Sequence, residues 1–165
     1  MDTVYIETSV ISHASAWPSL DPVVAVLQQQ ARQWWRSQRP NYQLVTSQLV
    51  VDEASVGDAD AARRRLEMLD GISLLLLTDQ VEQIATEIIR RSLMPAKAKL
   101  DALHVACAAV GGADYLLTQN CKHIANAHVL PQVYDMLDEL GLPRLLICMP
   151  AEFLGDPGND DESDS

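Results

Sequence analysis

The sequence predicts an α/β protein: a central, mostly parallel sheet with helices on both faces. Three observations carry this. Short apolar or β-branched runs alternate with longer amphipathic segments, in the order strand, helix, strand, helices, strand, two helices, strand, helix, strand. Strands separated by helices pair in parallel. Helix start and stop signals fall between the runs, at Asp21-Pro22, Thr78-Asp79 and Gly111-Gly112. Finally, 165 residues of which 48% are hydrophobic supply one core of ordinary size.

The elements follow in order. Thr3–Glu7 reads as the first strand, entering a polar turn at Thr8-Ser9. Asp21 and Pro22 start a helix predicted to run to about Ser37, with Val23, Val26, Leu27, Gln30 and Trp34 on its apolar face. Pro40 and Asn41 end it, and Gln43–Thr46 is a second short strand. Ser47 then caps a helix carrying Leu49, Val50 and Glu53, broken at Gly57. Asp58 opens the next helix, with Ala62, Leu66 and Leu69 as its core stripe. The run Ile72–Leu77 has the look of a strand buried on both faces. Thr78-Asp79 starts a helix with Val81, Ile84, Ala85 and Ile88 inward. Beyond Pro95, a helix is predicted over about Lys99–Val110, a strand over Tyr115–Thr118, a helix over Pro131–Leu140 and a last strand over Leu145–Cys148.

Composition narrows the function. No apolar run is long enough for a membrane helix, and no basic-plus-apolar leader is visible at residues 1–11. Cys107, Cys121 and Cys148 make no disulfide framework, so a reducing, cytoplasmic setting is expected. The net charge is −11. Part of the excess lies in residues 151–165, which contain Glu152, Asp156, Asp160, Asp161, Glu162 and Asp164 and no base. That stretch is expected to be an acidic, disordered tail following a domain over residues 1–150. The body is acidic without it, so any hold on nucleic acid must come from local bases. Lys97 and Lys99, with Arg90 and Arg91, lie just before Asp101, and Lys122 follows Asn120. Arg63-Arg64-Arg65 point in different directions on a helix and are expected to pair with Asp60 and Glu67. Trp34 and Trp35 face different sides of their helix, one inward and the other available to a partner, and Trp17 sits in a Pro-flanked loop.

In a parallel sheet, ligands bind beyond the C-terminal ends of the strands. Glu7 ends the first strand, Glu53 lies on the helix after the second, Asp101 opens the helix before the fourth, and Asn120 follows the fourth. Carboxylates brought together repel unless they share protons or a cation. Oxygen-rich clusters suit Mg²⁺ or Mn²⁺, and such an ion activates water for attack on a phosphodiester. Each residue also has a plainer role: an exposed helix acid for Glu53, a first-turn acid for Asp101, a turn residue for Asn120. Glu7 is the hardest to dismiss, because it directly follows Val4-Tyr5-Ile6 and an unpaired buried charge is costly. A zinc set of His104, Cys107, Cys121 and His123 lacks a Cys-x-x-Cys knuckle, and His104 stands one turn from Asp101, within reach of the same site. A flavodoxin-like or receiver-like domain is disfavoured: Thr8-Ser9-Val10 stands where a phosphate-cradling Gly-rich loop would be.

These residues resemble the PIN domain family. Tyr5-Ile6-Glu7-Thr8-Ser9 is similar to its opening strand, Thr46-Ser47 through Val51-Asp52-Glu53 to its second acidic segment, Asp101-Ala102-Leu103-His104-Val105-Ala106 to its third, and Tyr115 through Asn120 to the strand and turn of its fourth polar position. The resemblance covers about Thr3 to Pro150 and rests on four motifs in order. It implies a three-layer α/β/α fold and a Mg²⁺- or Mn²⁺-dependent ribonuclease acting on RNA, most often the VapC-like toxin of a bacterial toxin–antitoxin pair. It also implies a homodimer, and an antitoxin that wraps an early helical region. Under it, Glu7, Glu53 and Asp101 hold the cation, Asn120 completes the catalytic set, and Thr8 and Thr118 support them by hydrogen bonds. Lys97, Lys99 and Lys122 are weaker substrate-binding candidates. Two positions depart from the family, which usually has Asp where Glu7 stands and often Asp where Asn120 stands. The extra methylene shifts the metal and the amide removes a charge, so one firm metal site at most is expected. The alternative is a catalytically weak PIN-like binding module in a regulatory complex.

Overall fold

A computed structural model describes residues 1–155. Its sheet has five strands, β1 (Thr3–Ile6), β2 (Gln43–Ser47), β3 (Ser73–Leu75), β4 (Tyr115–Leu117) and β5 (Leu146–Cys148). All neighbours pair in parallel, in the order β3-β2-β1-β4-β5. The chain winds outward from β1 to β3, then crosses back to β4 and β5. The order therefore reverses between β1 and β4, where parallel sheets open a crevice. β1 is central, and its Val4, Tyr5 and Ile6 are fully buried.

The helices are α1 (Thr8–Ser15), α2 (Pro22–Ser37), α3 (Gln48–Ala54), α4 (Ala59–Leu69), α5 (Asp79–Arg90), α6 (Lys99–Val110) and α7 (Leu130–Glu139). Short 3-10 turns occupy Arg39–Asn41, Ala96–Ala98 and Pro150–Phe153. Right-handed crossovers put the helices between β1 and β3 on one face and those after β3 on the other. Accordingly α1 packs on α2, α3 and α4, and α5 packs on α6. The result is a three-layer α/β/α architecture.

Caps define the helices that were legible. The Asp21 side chain accepts from the backbone N–H of Val23 and Val24, and Thr78 accepts from that of Val81. Gly111 ends α6 and Gly112, at φ +74°, turns the chain. Gly111 also admits a close approach: a Cβ there would collide with Leu75 of β3.

Several expectations are corrected. Thr8-Ser9 is no turn but the start of α1, for which Glu7 is the N-cap. Ser47 stands at the N-cap of α3 but gives it no side-chain bond; its hydroxyl meets Tyr5 instead. Ile72–Leu77 is not buried on both faces. β3 spans only Ser73–Leu75 at the sheet edge, and Leu74, Leu76 and Leu77 are exposed. An edge strand has one neighbour, so half of its apolar surface has nothing to pack against. On α2 the buried residues are Gln28, Ala31 and Trp34, while Val23 and Val26 are exposed. Gln28 is tolerated inside because it accepts from Ser19 N–H and donates to the Trp17 carbonyl. Leu66 on α4 is likewise exposed. The tail does not begin at 151, because Pro150–Phe153 forms a 3-10 turn and Phe153 packs against Trp34, Tyr42 and Tyr115. Residues 156–165, where the rest of the expected acidic tail falls, lie outside the described residues.

Candidate functional site

The site is built where the strands end. Glu7 and Thr118 directly follow β1 and β4, the two strands that flank the topological reversal, and the Glu7 N–H donates to the Leu117 carbonyl. α3 follows β2 and carries Glu53 to the same end. α6 runs back towards the start of β4, so its first turn, with Asp101, also lies at this end.

Glu7 is buried, at 4% exposure. One of its oxygens, Oε2, accepts from the Ser9 N–H (3.1 Å), the Ser9 hydroxyl and the Thr118 hydroxyl (2.8 Å). Glu53 Oε1 meets the Thr8 hydroxyl at 3.2 Å and His104 Nε2 at 2.5 Å. Asp101 Oδ2 meets His123 Nδ1 at 2.9 Å. Thus each carboxylate is gripped through one oxygen, and the other receives no hydrogen bond from the described residues. The supports are linked. Thr118 Oγ1 accepts from Asn120 N–H, and Asn120 Oδ1 accepts from His123 N–H, which ties Glu7 to Asp101 through Thr118, Asn120 and His123. Thr8, next to Glu7 in sequence, reaches Glu53. No Lys or Arg among the described residues is ion-paired with any of the three carboxylates.

The structure therefore gathers Glu7, Glu53, Asp101, Asn120, Thr8 and Thr118 at one end of the sheet, joined by hydrogen bonds. It does not hold them as a coordination shell: among the described residues no three His, Cys, Asp or Glu side chains stand close enough to hold one ion. The zinc set dissolves for the same reason. His104 and His123 bind carboxylates, Cys107 is buried and Cys121 lies against Met149. Asn120 is engaged as a turn residue, its backbone carbonyl accepting from Ile124 and Ala125.

The basic candidates divide. Arg90 and Arg91 pair with Glu87, and Arg91 also with Glu139. Lys99 is held by Glu82 and Thr86. Lys97 and Lys122 are exposed and have no ion-pair partner among the described residues. Arg63 and Arg64 pair with Asp60, and Arg63 also with Glu67.

Sequence reasoning missed Ser9, Tyr5 and Ser47, and gave His123 only to zinc. Tyr5 carried a signal: a tyrosine between Val4 and Ile6 in the central strand must find a partner for its hydroxyl. That hydroxyl lies 2.7 Å from Ser47 Oγ and 2.8 Å from His104 Nδ1. Burial pushes the Tyr5 phenol well above its ordinary range and the Cys107 thiol up to about 11, so both keep their protons.

Comparison with known proteins agrees with this fold. The family model described as PIN domain matches residues 4–128. Among solved structures, the chain is similar to one from Mycobacterium tuberculosis described as a member of the VapBC family of toxin–antitoxin systems, VapBC-5. The two are 16% identical, the match covers 90% of this chain and 99% of that one, and the TM-score is 0.50. At that identity the likeness concerns the fold. No curated protein sequence matches the chain.

Proposed function

Because the chain belongs to the PIN domain family, we propose that it is a metal-dependent endoribonuclease, the toxin of a bacterial type II toxin–antitoxin pair. PIN domains are generally nucleases and typically use divalent metals. One observation carries the reading furthest: three carboxylates from distant parts of the chain lie at the same end of the sheet, each steered through one oxygen by neutral hydroxyl, amide or imidazole groups.

The donor set fits the implied metal in chemistry, though the three carboxylates are not drawn together into a coordination shell. Glu7 is a buried carboxylate with no basic partner and an unclaimed second oxygen among the described residues. Carboxylate oxygens are the donors that Mg²⁺ and Mn²⁺ prefer. Glu7, Glu53 and Asp101 would hold the ion, which when bound supplies an activated water and offsets charge on the phosphodiester. The chain does the rest. Thr118 and Ser9 fix Glu7, Thr8 and His104 fix Glu53, and His123 fixes Asp101. Such outer partners orient the groups that touch the metal. Exposed Lys97 and Lys122 offer the local positive charge that an acidic protein needs to hold RNA phosphates.

Asn120 gives the neutral member of the set, which weakens any second cation. A catalytically weak binding module is the second reading, and the engagement of Asn120 in a turn favours it. The toxin reading gives the exposed Trp17, Leu20, Val23 and Val26, at and after the α1–α2 corner, to an antitoxin. The apolar β3 edge, with Leu74, Leu76 and Leu77, is assigned to pairing with a second copy. Among the described residues no helix is long and apolar enough to cross a membrane, and an RNA-cleaving toxin of this kind would act in the cytoplasm.

The test is RNA cleavage by the purified protein in Mn²⁺. The reading expects cleavage that falls roughly a hundredfold or more in Asp101→Asn. Cleavage undiminished in that variant would place the chemistry elsewhere. Metal binding without cleavage by the unaltered protein would favour the binding module.

A further inference from the structure

We propose that Tyr5 and His104 are positioning residues: a buried relay, Ser47 to Tyr5 to His104 to Glu53, fixes His104 as its Nε2–H tautomer and so sets the orientation in which Glu53 meets a cation. The inference rests on Glu53 being one of the metal-holding carboxylates.

The direction of the relay follows from what each group can donate. An ionised carboxylate only accepts, so His104 Nε2, 2.5 Å from Glu53 Oε1, must carry the proton. In a singly protonated ring Nδ1 is then an acceptor. The group facing Nδ1 is the Tyr5 hydroxyl at 2.8 Å, which must donate. With its proton used there, the Tyr5 oxygen accepts from the Ser47 hydroxyl at 2.7 Å. Every hydroxyl and ring proton points towards Glu53. The opposite tautomer would set a bare nitrogen lone pair against a carboxylate oxygen.

Burial makes this arrangement costly to keep and hard to change. Tyr5, Ser47 and His104 are fully buried, and Tyr5 meets the His104 ring edge-on at 6.0 Å between centroids. A polar chain at the centre of a sheet is tolerated only when every member is satisfied. The relay reaches solvent at Glu53, whose side chain keeps 31% exposure. Apolar residues would fill the same space without desolvated hydroxyls. The polar choice therefore serves the group at its end.

The test uses the full-length, metal-free protein, with ¹⁵N NMR of the His104 ring and calorimetric titration of Mn²⁺. The unaltered protein is expected to show a protonated Nε2 and an unprotonated Nδ1. Tyr5→Phe removes the donor that selects the tautomer; the ring signals should move towards a mixture and the Mn²⁺ Kd should rise about tenfold or more. His104→Gln places an amide N–H where Nε2 stands and should keep the Kd within about threefold, whereas His104→Asn, which reaches only as far as Nδ1, should lose about tenfold. The double variant Tyr5→Phe, His104→Gln should recover affinity relative to Tyr5→Phe, a rescue that a merely structural role for Tyr5 would not give. A His104 ring protonated on Nδ1, or on both nitrogens, overturns the relay alone. Unchanged Mn²⁺ affinity in Tyr5→Phe overturns the positioning role. No Mn²⁺ binding by the unaltered protein overturns the metal reading and the positioning role with it.

Discussion

The two ends of the sheet are built of different material. Towards the start of the strands, Trp34, Tyr42, Tyr115 and Phe153 pack ring against ring, with centroids 5.2–6.1 Å apart. Beyond the ends of the strands, Glu7, Ser47, His104 and Thr118 are buried and hydrogen-bonded. The aromatic end tolerates a lapse: Trp34 Nε1 is buried without a partner among the described residues. Large apolar area outweighs one lost bond there. The polar end has no such surplus, and among the described residues it leaves no fully buried side-chain polar atom without a partner. One end holds the fold, and the other spends fold stability on placing carboxylates.

The largest effect that separates the two ends is Trp34→Ala. It should destabilise the protein by about 3–5 kcal/mol in urea unfolding, while the fraction that stays folded binds Mn²⁺ with unchanged affinity. Altered affinity would show that the ends are coupled. Glu7→Gln is the mirror case. Its Ser9 and Thr118 donors can all bond an amide oxygen, so unfolding without metal should shift by roughly 1 kcal/mol or less. The Mn²⁺-linked stabilisation, about 2.7 kcal/mol at a hundredfold excess over Kd, should disappear. A Glu7→Gln protein that Mn²⁺ still stabilises would remove Glu7 from the site.

The smallest effect belongs to neither end. Arg90 and Arg91 hold the Glu87 carboxyl well down, from 4.5 to about 2. A depressed carboxyl adds stability that is present above its unfolded value and is lost as pH falls through the folded one, so the window is about pH 4.5 to 2. Glu87 is half-buried, but its pairs with Arg90 and Arg91 lie at the surface and are screened by salt. Glu87→Gln should therefore flatten the acid limb of stability only slightly, and less still in high salt. A large shift would make this surface network part of the fold's main support.

How far the sequence could be read depended on whether a signal was local. The bounds of α2 and α6 coincide with their predicted ranges because Asp21-Pro22 and Gly111-Gly112 act within one turn of chain. The α1 helix was hidden because its cap is Glu7, a residue read for its charge. Ile72–Leu77 misled because an apolar run looks the same at a sheet centre and at an edge; strand order, which decides, is not local. Val23 and Val26 misled because the buried stripe of α2 runs through Gln28, and a hydrogen-bonded glutamine is invisible to a hydrophobic pattern. At the candidate site, Glu7, Glu53, Asp101 and Asn120 were legible from strand ends. Their partners were not, since a contact such as Tyr5 to His104 spans 99 positions and depends on side-chain direction.

The central claim is that Glu7, Glu53 and Asp101 converge on one divalent ion. Calorimetric titration of Mn²⁺ into the metal-free protein, beside Glu53→Gln and Asp101→Asn, tests it most directly. The account predicts a single site in the unaltered protein and its loss in each variant, although Glu53 and Asp101 lie on different helices. Undiminished binding in either variant, or no binding at all, would contradict it.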